Sequence, residues 1–189
     1  MKTKCVILAC ILWWGYPVMG IETPSYTVLK THQNIEVRLY DPMTMAEVHI
    51  KGDRKDSAGV SHIGYIFGNN QSDAKMAMTA PVEQKQVDDA WRIGFVMPSS
   101  YTIDTLPQPN NTRINVTQMP KKTVVVIRFS GLSSNQNLEK NEHILMQYCN
   151  DMRFLVIGSP KYAFYNPPWT LPFLRRNEMM VEIQGDSFQ

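Results

Sequence analysis

The hydrophobic pattern of this chain is written twice at a constant spacing, and few folds accommodate such a sequence. Ile35, Val37 and Leu39 alternate with Glu36, Arg38 and Tyr40, the period of a half-buried strand. Pro42 interrupts, Thr44 to Ile50 reads as the returning strand, and Gly52-Asp53 marks a turn. A short helical stretch is expected next, with Val60, Ile63 and Phe67 on one face and Gly68-Asn69-Asn70 ending it. Strands through Met78 to Val82 and from Trp91 to Met97 complete the first half. The second half runs in the same order. Ile114 and Val116 begin a strand, Pro120 interrupts, Val124 to Phe129 returns, and Gly131 turns the chain. Ser133 with Gln136 can form a capping box for a helix ending near Asp151, with Leu138, Leu145, Cys149 and Met152 along one stripe. Strands at Tyr162 to Tyr165 and Met179 to Ile183 follow. Ile35 falls on Ile114 and Gly52 on Gly131, an offset of 79 residues in each case. The expectation is an α+β fold in which duplicated strand-strand-helix-strand-strand units form a distorted antiparallel β-barrel flanked by two helices. The halves cover about 34–98 and 112–184, joined by a linker over 99–112 rich in proline and asparagine.

The first twenty residues stand outside this plan. Lys2 and Lys4 precede an apolar run from Cys5 to Met19, and Val18 and Gly20 are small residues suited to cleavage before Ile21. The run falls short of the roughly 20 apolar residues of a spanning helix and is broken by Gly15 and Pro17. Residues 1–20 therefore read as a secretory signal peptide and 21–189 as one exported domain, periplasmic in a bacterium and otherwise secreted, with no stable membrane insertion after cleavage. The whole chain carries 19 Lys+Arg against 17 Asp+Glu. Because Lys2 and Lys4 are the excess, the remainder is formally neutral. No basic run interleaved with aromatics is left, so a phosphate-tracking surface is unsupported and nucleic acid is not an expected partner. Cys5 and Cys10 fall in the leader, leaving Cys149 without an intrachain partner. Asn70, Asn110 and Asn115 are glycosylation sequons for a host that modifies exported proteins.

Several blocks now resemble a known family. Lys75-Met76-Ala77-Met78-Thr79-Ala80-Pro81-Val82 is similar to the Met-Thr-x-Pro-Val segment of SOUL/haem-binding proteins. So are Glu36-Val37-Arg38-Leu39-Tyr40, Tyr65-Ile66-Phe67-Gly68-Asn69 and Ile127-Arg128-Phe129-Ser130-Gly131. Tyr165-Asn166-Pro167-Pro168-Trp169 and Arg175-Arg176-Asn177-Glu178 extend the likeness, in family order, across about residues 34 to 184. The wording of the blocks looks most like bacterial members. The resemblance implies a haem or related porphyrin as cofactor, bound in an apolar surface groove, on a duplicated antiparallel barrel with two helices. Where some members carry histidine between the arginine and tyrosine of the first strand, this chain has Leu39.

The candidate cofactor contacts are His62, Tyr65, Ile66, Met76, Met78 and Arg175. His62 projects away from the Val60/Ile63/Phe67 stripe beside Ala58 and Tyr65, and its imidazole suits an iron ligand. The methionines adapt to a flat apolar ligand, and the same residues serve equally as core filling. Arg175, Arg176 and Lys75 could pair with propionates, although Arg175-Arg176-Asn177-Glu178 is equally a structural hydrogen-bonding corner. His32 before the first strand, His49 on a strand and His143 on the polar side of the second helix are weaker candidates. No catalytic motif is present: no Gly-x-Ser-x-Gly, His-Glu-x-x-His, phosphate-binding glycine loop or Cys-x-x-Cys. Asp88-Asp89 reads as a solvated hairpin turn. The leading expectation is a non-catalytic tetrapyrrole binder, carrier or buffer. An enzyme acting on a flat apolar molecule, and a ligand-free partner-binding domain, are the alternatives.

Overall fold

The computed structural model describes residues 21–51 and 64–185. Nine strands are found: β1 (Tyr26–His32), β2 (Ile35–Tyr40), β3 (Met43–Lys51), β4 (Val82–Val87), β5 (Ala90–Val96), β6 (Asn115–Met119), β7 (Lys122–Phe129), β8 (Val156–Phe164) and β9 (Asn177–Ile183). Between β7 and β8 lies α1 (Asn135–Asp151). Residues 64–66, where the description resumes before β4, are helical. All neighbouring strands are antiparallel, in the order β1-β2-β7-β9-β8-β4-β5-β3-β6. The protein is thus α+β, but its sheet is not the closed barrel the sequence led us to expect. A closed barrel requires first and last strands to pair, whereas β1 pairs only with β2 and β6 only with β3. The sheet is open and has two edges.

From β2 to β6 the order has a regularity of its own. Exchanging β2 with β6, β3 with β7, β4 with β8 and β5 with β9 returns the same series read from the other end. The centre of that series is the β4–β8 pair, which is joined over Val82–Gln84 and Tyr162–Phe164 only.

Period-two alternation gives the sheet two chemically different faces. On one face Ile35, Val37, Val125, Ile127, Met179 and Val181 pack with Leu138, Leu145 and Cys149 of α1. Phe95 and Ala46, on the same face, pack with Tyr65, Ile66 and Met76. The other face, turned away from α1, collects Tyr40, Val124, Val126, Ala163 and Met180. The helix α1 starts one residue later than the capping box suggested, because Ser134 is its N-cap and accepts from the Asn137 N–H. Gly131, at φ +103°, makes the turn from β7 toward α1, a conformation that side chains with a Cβ rarely adopt. Asn137 then fastens that turn by donating to the carbonyls of Ser130 and Leu132.

Two strand expectations need correction. The strand expected from Met78 begins only at Val82, since Pro81 has no N–H to give a ladder and Ala80 N–H already donates to Glu22 O at 2.8 Å. His32 does not precede the first strand; it ends β1 and stacks on Tyr148 of α1 at 5.6 Å.

Cys149 lies on the buried stripe of α1, and burial pushes its thiol up to about 11. Since thiolate is the reactive form, Cys149 in the native protein at pH 8 should stay unlabelled by iodoacetamide, while in the denatured chain it reacts fully. Equal labelling rates in the two states would show that α1 does not cover this residue.

Candidate functional site

The sequence-predicted residues separate into three groups. Tyr65, Ile66 and Met76 share one buried cluster with Phe95 and Met97. The Tyr65 hydroxyl donates to Pro107 O at 2.7 Å, so the linker is tied down onto this cluster. Met76 N–H donates to Ile66 O at 2.9 Å, which fixes the chain beyond the helix end. Asn70 lies between these residues, buried, with its side-chain amide donating to Tyr65 O and Ala74 O. That sequon is therefore closed to modification in the folded protein. Met78, by contrast, is 51% exposed, like Phe67 at 56% before it and Val82 at 39% after it. Arg175 forms the third group. Its guanidinium donates to the carbonyls of Pro168 and Thr170, shaping the loop 166–174. His62 lies outside the described residues, as do residues 1–20.

The register of the central strands identifies what lies between the two helix-side clusters. Val82 is opposite both Phe95 and Phe164, Gln84 is opposite Ile93 and Tyr162, and Gln86 is opposite Trp91. Cross-strand partners share a face, so these residues form one strip down β4, between the cluster under α1 and the cluster around Tyr65. Three aromatic rings run across it: Trp91 and Tyr162 have centroids 6.1 Å apart, and Tyr162 and Phe164 stack at 6.5 Å. The rings are half-buried, and Tyr162 touches Glu142 of α1 through its hydroxyl. Gln84, in register with Tyr162, is buried, and its Oε1 has no hydrogen-bond partner among the described residues. This strip is the candidate site. Flat aromatic floors suit planar, largely apolar ligands.

The described histidines do not converge on it. His32 is engaged with Tyr148, His49 pairs in register with Arg92 and so sits on the face turned away from α1, and His143 is exposed on α1. Among the described residues, no group of three or more His, Cys, Asp or Glu is placed to hold a metal ion, and no helix is long and apolar enough to cross a membrane. Two hollows stand out elsewhere. One of about 300 Å³ opens among residues 22–25, 41–44 and 96–99 at strand ends, and one of about 220 Å³ lies on the face turned away from α1. Neither is the apolar groove beside a helix that the resemblance implied.

The face turned away from α1 also holds a buried charge network that the sequence only half announced. Arg38 forks onto Glu178 with bonds of 2.8 and 3.1 Å, and Arg176 donates to the same carboxylate at 2.8 Å. The Tyr165 hydroxyl adds a further donor at 2.8 Å. Burial would raise the Glu178 carboxyl, but Arg38 and Arg176 outweigh it and hold it below the usual carboxylate range. Since Glu178 is engaged by donors of the chain itself, this network serves the fold, which is the structural-corner reading of Arg175-Arg176-Asn177-Glu178. Trp91, Tyr162 and Phe164 were not singled out from sequence. Their alternation along β5 and β8 is visible there, but their meeting across β4 depends on non-local register.

The comparisons with known proteins follow the same outline. A family model described as SOUL heme-binding protein matches residues 21–182. Heme-binding protein 2 of Mus musculus is 28% identical over 190 residues, covering 90% of this chain and 89% of that protein. Among solved structures, the EcmrR C-terminal domain is similar with a TM-score of 0.61 at 13% identity, over 84% of this chain and 98% of that one. A hydrolase from Listeria innocua reaches 0.58 at 14% identity, over 82% and 94%. At these identities the two structures bear on the fold alone.

Proposed function

Since this chain belongs to the SOUL heme-binding protein family, we propose that it binds haem or a related tetrapyrrole on the helix-side strip of β4, β5 and β8. The observation that carries the placement is the row of half-buried rings Trp91, Tyr162 and Phe164. A macrocycle stacked there has the exposed Val82 as an apolar neighbour, and Tyr65, Ile66 and Met76 pack with Phe95, the register partner of Val82. His62 is the residue we assign to the iron, on the sequence argument alone. Its neutral imidazole would hold the iron when the bound macrocycle is a haem. In this reading the protein is a binder, carrier or buffer rather than a catalyst, exported under the direction of residues 1–20. The mirrored strand order supports reading the fold as two copies of one unit.

Hemin titration tests the proposal. A shifted Soret band should saturate at one equivalent, and Trp91→Ala with Tyr162→Ala should weaken binding by about tenfold or more, the loss of two stacking faces. His62→Ala should move the band position more than the affinity. Unshifted absorbance at micromolar protein would remove the reading altogether.

A second reading has one observation in its favour. The loop 166–174 exposes Trp169 at 82% and Phe173 at 70%, with Leu171 and Leu174 beside them, on a frame held by Arg175. Rigid exposed aromatics of this kind suit a protein partner. If that is the protein's role, Trp169→Ser will abolish partner recovery and leave hemin titration unchanged.

A further inference from the structure

The hollow of about 220 Å³ on the face turned away from α1 is built from charge, and the tetrapyrrole reading makes no use of it. Its floor is apolar, formed by the buried Val124 and Met180, with Met119 at one side. Around it stand four cations from four strands: Lys85 on β4, Arg92 on β5, Lys122 on β7 and Lys161 on β8. Two carboxylates, Glu83 and Glu182, line it as well. Lys161 is already committed to Glu83, with both oxygens within 2.7 Å, and Arg92 lies 3.4 Å from Glu47 outside the lining. Lys85 and Lys122 are left, among the described residues, without a carboxylate within ion-pair distance. Both are half-buried, and both ammonium groups are held below the usual lysine range by burial, then by the neighbouring cations. Cations crowded into a half-buried hollow are unfavourable unless an anion joins them.

The backbone explains why the hollow exists. The β4–β8 ladder stops after Gln84, and the β8–β9 register slips between Ile157 and Lys161. Chain at 158–160 therefore bulges out of the sheet, with Gly158 at φ +72°. A Cβ there would lie 3.3 Å from Lys85 Nζ, so the lysine head rests against the bulge. Ser159, within the bulge, lines the same space. Bulges re-aim side chains toward a site and interrupt pairing in doing so, and this one does both.

The geometry points to a site for a small organic carboxylate, with Lys85, Lys122 and Ser159 as its polar contacts and the Val124/Met180 floor under its carbon skeleton. The volume lies below the range of drug-sized pockets, so the ligand has only a handful of heavy atoms. The apolar floor favours an organic acid over a bare inorganic anion, which has no carbon to bury there.

The test is thermal unfolding of the full chain at fixed ionic strength with succinate, inorganic phosphate or chloride. Succinate should raise the midpoint saturably, while phosphate and chloride should not. Lys122→Gln and Lys85→Gln should each weaken the succinate effect by about tenfold or more, as expected for loss of one charge-assisted hydrogen bond. Ser159→Ala provides a milder variant, with unchanged circular dichroism as its control. Equal stabilisation by phosphate would overturn the carboxylate assignment, and a succinate effect undiminished in both lysine variants would overturn the site. Because hemin is absent, these results stand apart from those for the tetrapyrrole strip.

Discussion

Glu178→Ala is expected to destabilise the protein by about 3–5 kcal/mol, because it removes one member of a buried ion pair and leaves the others charged. Glu178 is fully buried and accepts from Arg38, Arg176 and Tyr165 at once. Without it, the buried Arg38 guanidinium keeps only the part-exposed Glu36 and the Tyr40 hydroxyl, while the half-buried Arg176 loses its carboxylate. For a domain of this size each kcal/mol is worth roughly 2–4 °C, so the thermal midpoint should fall by about 6–20 °C. Glu36→Ala removes the exposed end of the same network and should cost no more than about 1 kcal/mol. Comparable losses in the two variants would show that Glu178 is not enclosed. The carboxyl also sets a pH dependence. Its folded pKa lies below its unfolded one near about 4.3. The stabilisation is therefore fully present above that unfolded value and disappears as pH falls through the folded one. The stability gap between wild type and Glu178→Gln should hold from pH 7 to about 5 and then close on further acidification.

Leu145→Ala should cost about 2–5 kcal/mol, the range for truncating a fully buried leucine. Leu145 sits mid-way along the buried stripe of α1, between Leu138 and Cys149, over Val125, Ile127, Met179 and Val181. A helix with one covered face draws most of its stability from tertiary packing, so a cavity there cannot be repaired by helix propensity. The adjacent Ile144 is partly exposed, and Ile144→Ala should change stability by only about 0.5–1 kcal/mol. Chemical denaturation of both variants reads the difference directly. A reversed ranking would mean that α1 presents another face to the sheet.

Elements with one buried face were legible in the sequence. Ile35 and Val37 alternate with Glu36 and Arg38 because β2 separates two chemically different faces, and Leu138, Leu145 and Cys149 recur because α1 lies on the sheet. Strand β1 could not be read this way. Tyr26 is its only residue that is not exposed, so an edge strand of this kind carries no binary pattern. The open sheet was equally hidden, since which strands end it depends on pairings between distant segments. The site divides along the same line. Tyr65, Ile66 and Met76, expected as cofactor contacts, lie together in one buried cluster and form a core wall. Trp91 meets Tyr162 only through the registers of β5 on β4 and β4 on β8, and the bulge behind Lys85 leaves no mark beyond Gly158-Ser159-Pro160.

The central claim is that a planar macrocycle rests on the aromatic strip of the helix-side face. Amide chemical-shift mapping during titration with a diamagnetic metalloporphyrin examines it most directly. The account predicts perturbations centred on Val82, Gln84, Trp91, Tyr162 and Phe164, with little change at Lys85, Lys122 or the loop 166–174. Shifts confined to that loop or to the face turned away from α1, with the strip unmoved, would contradict it.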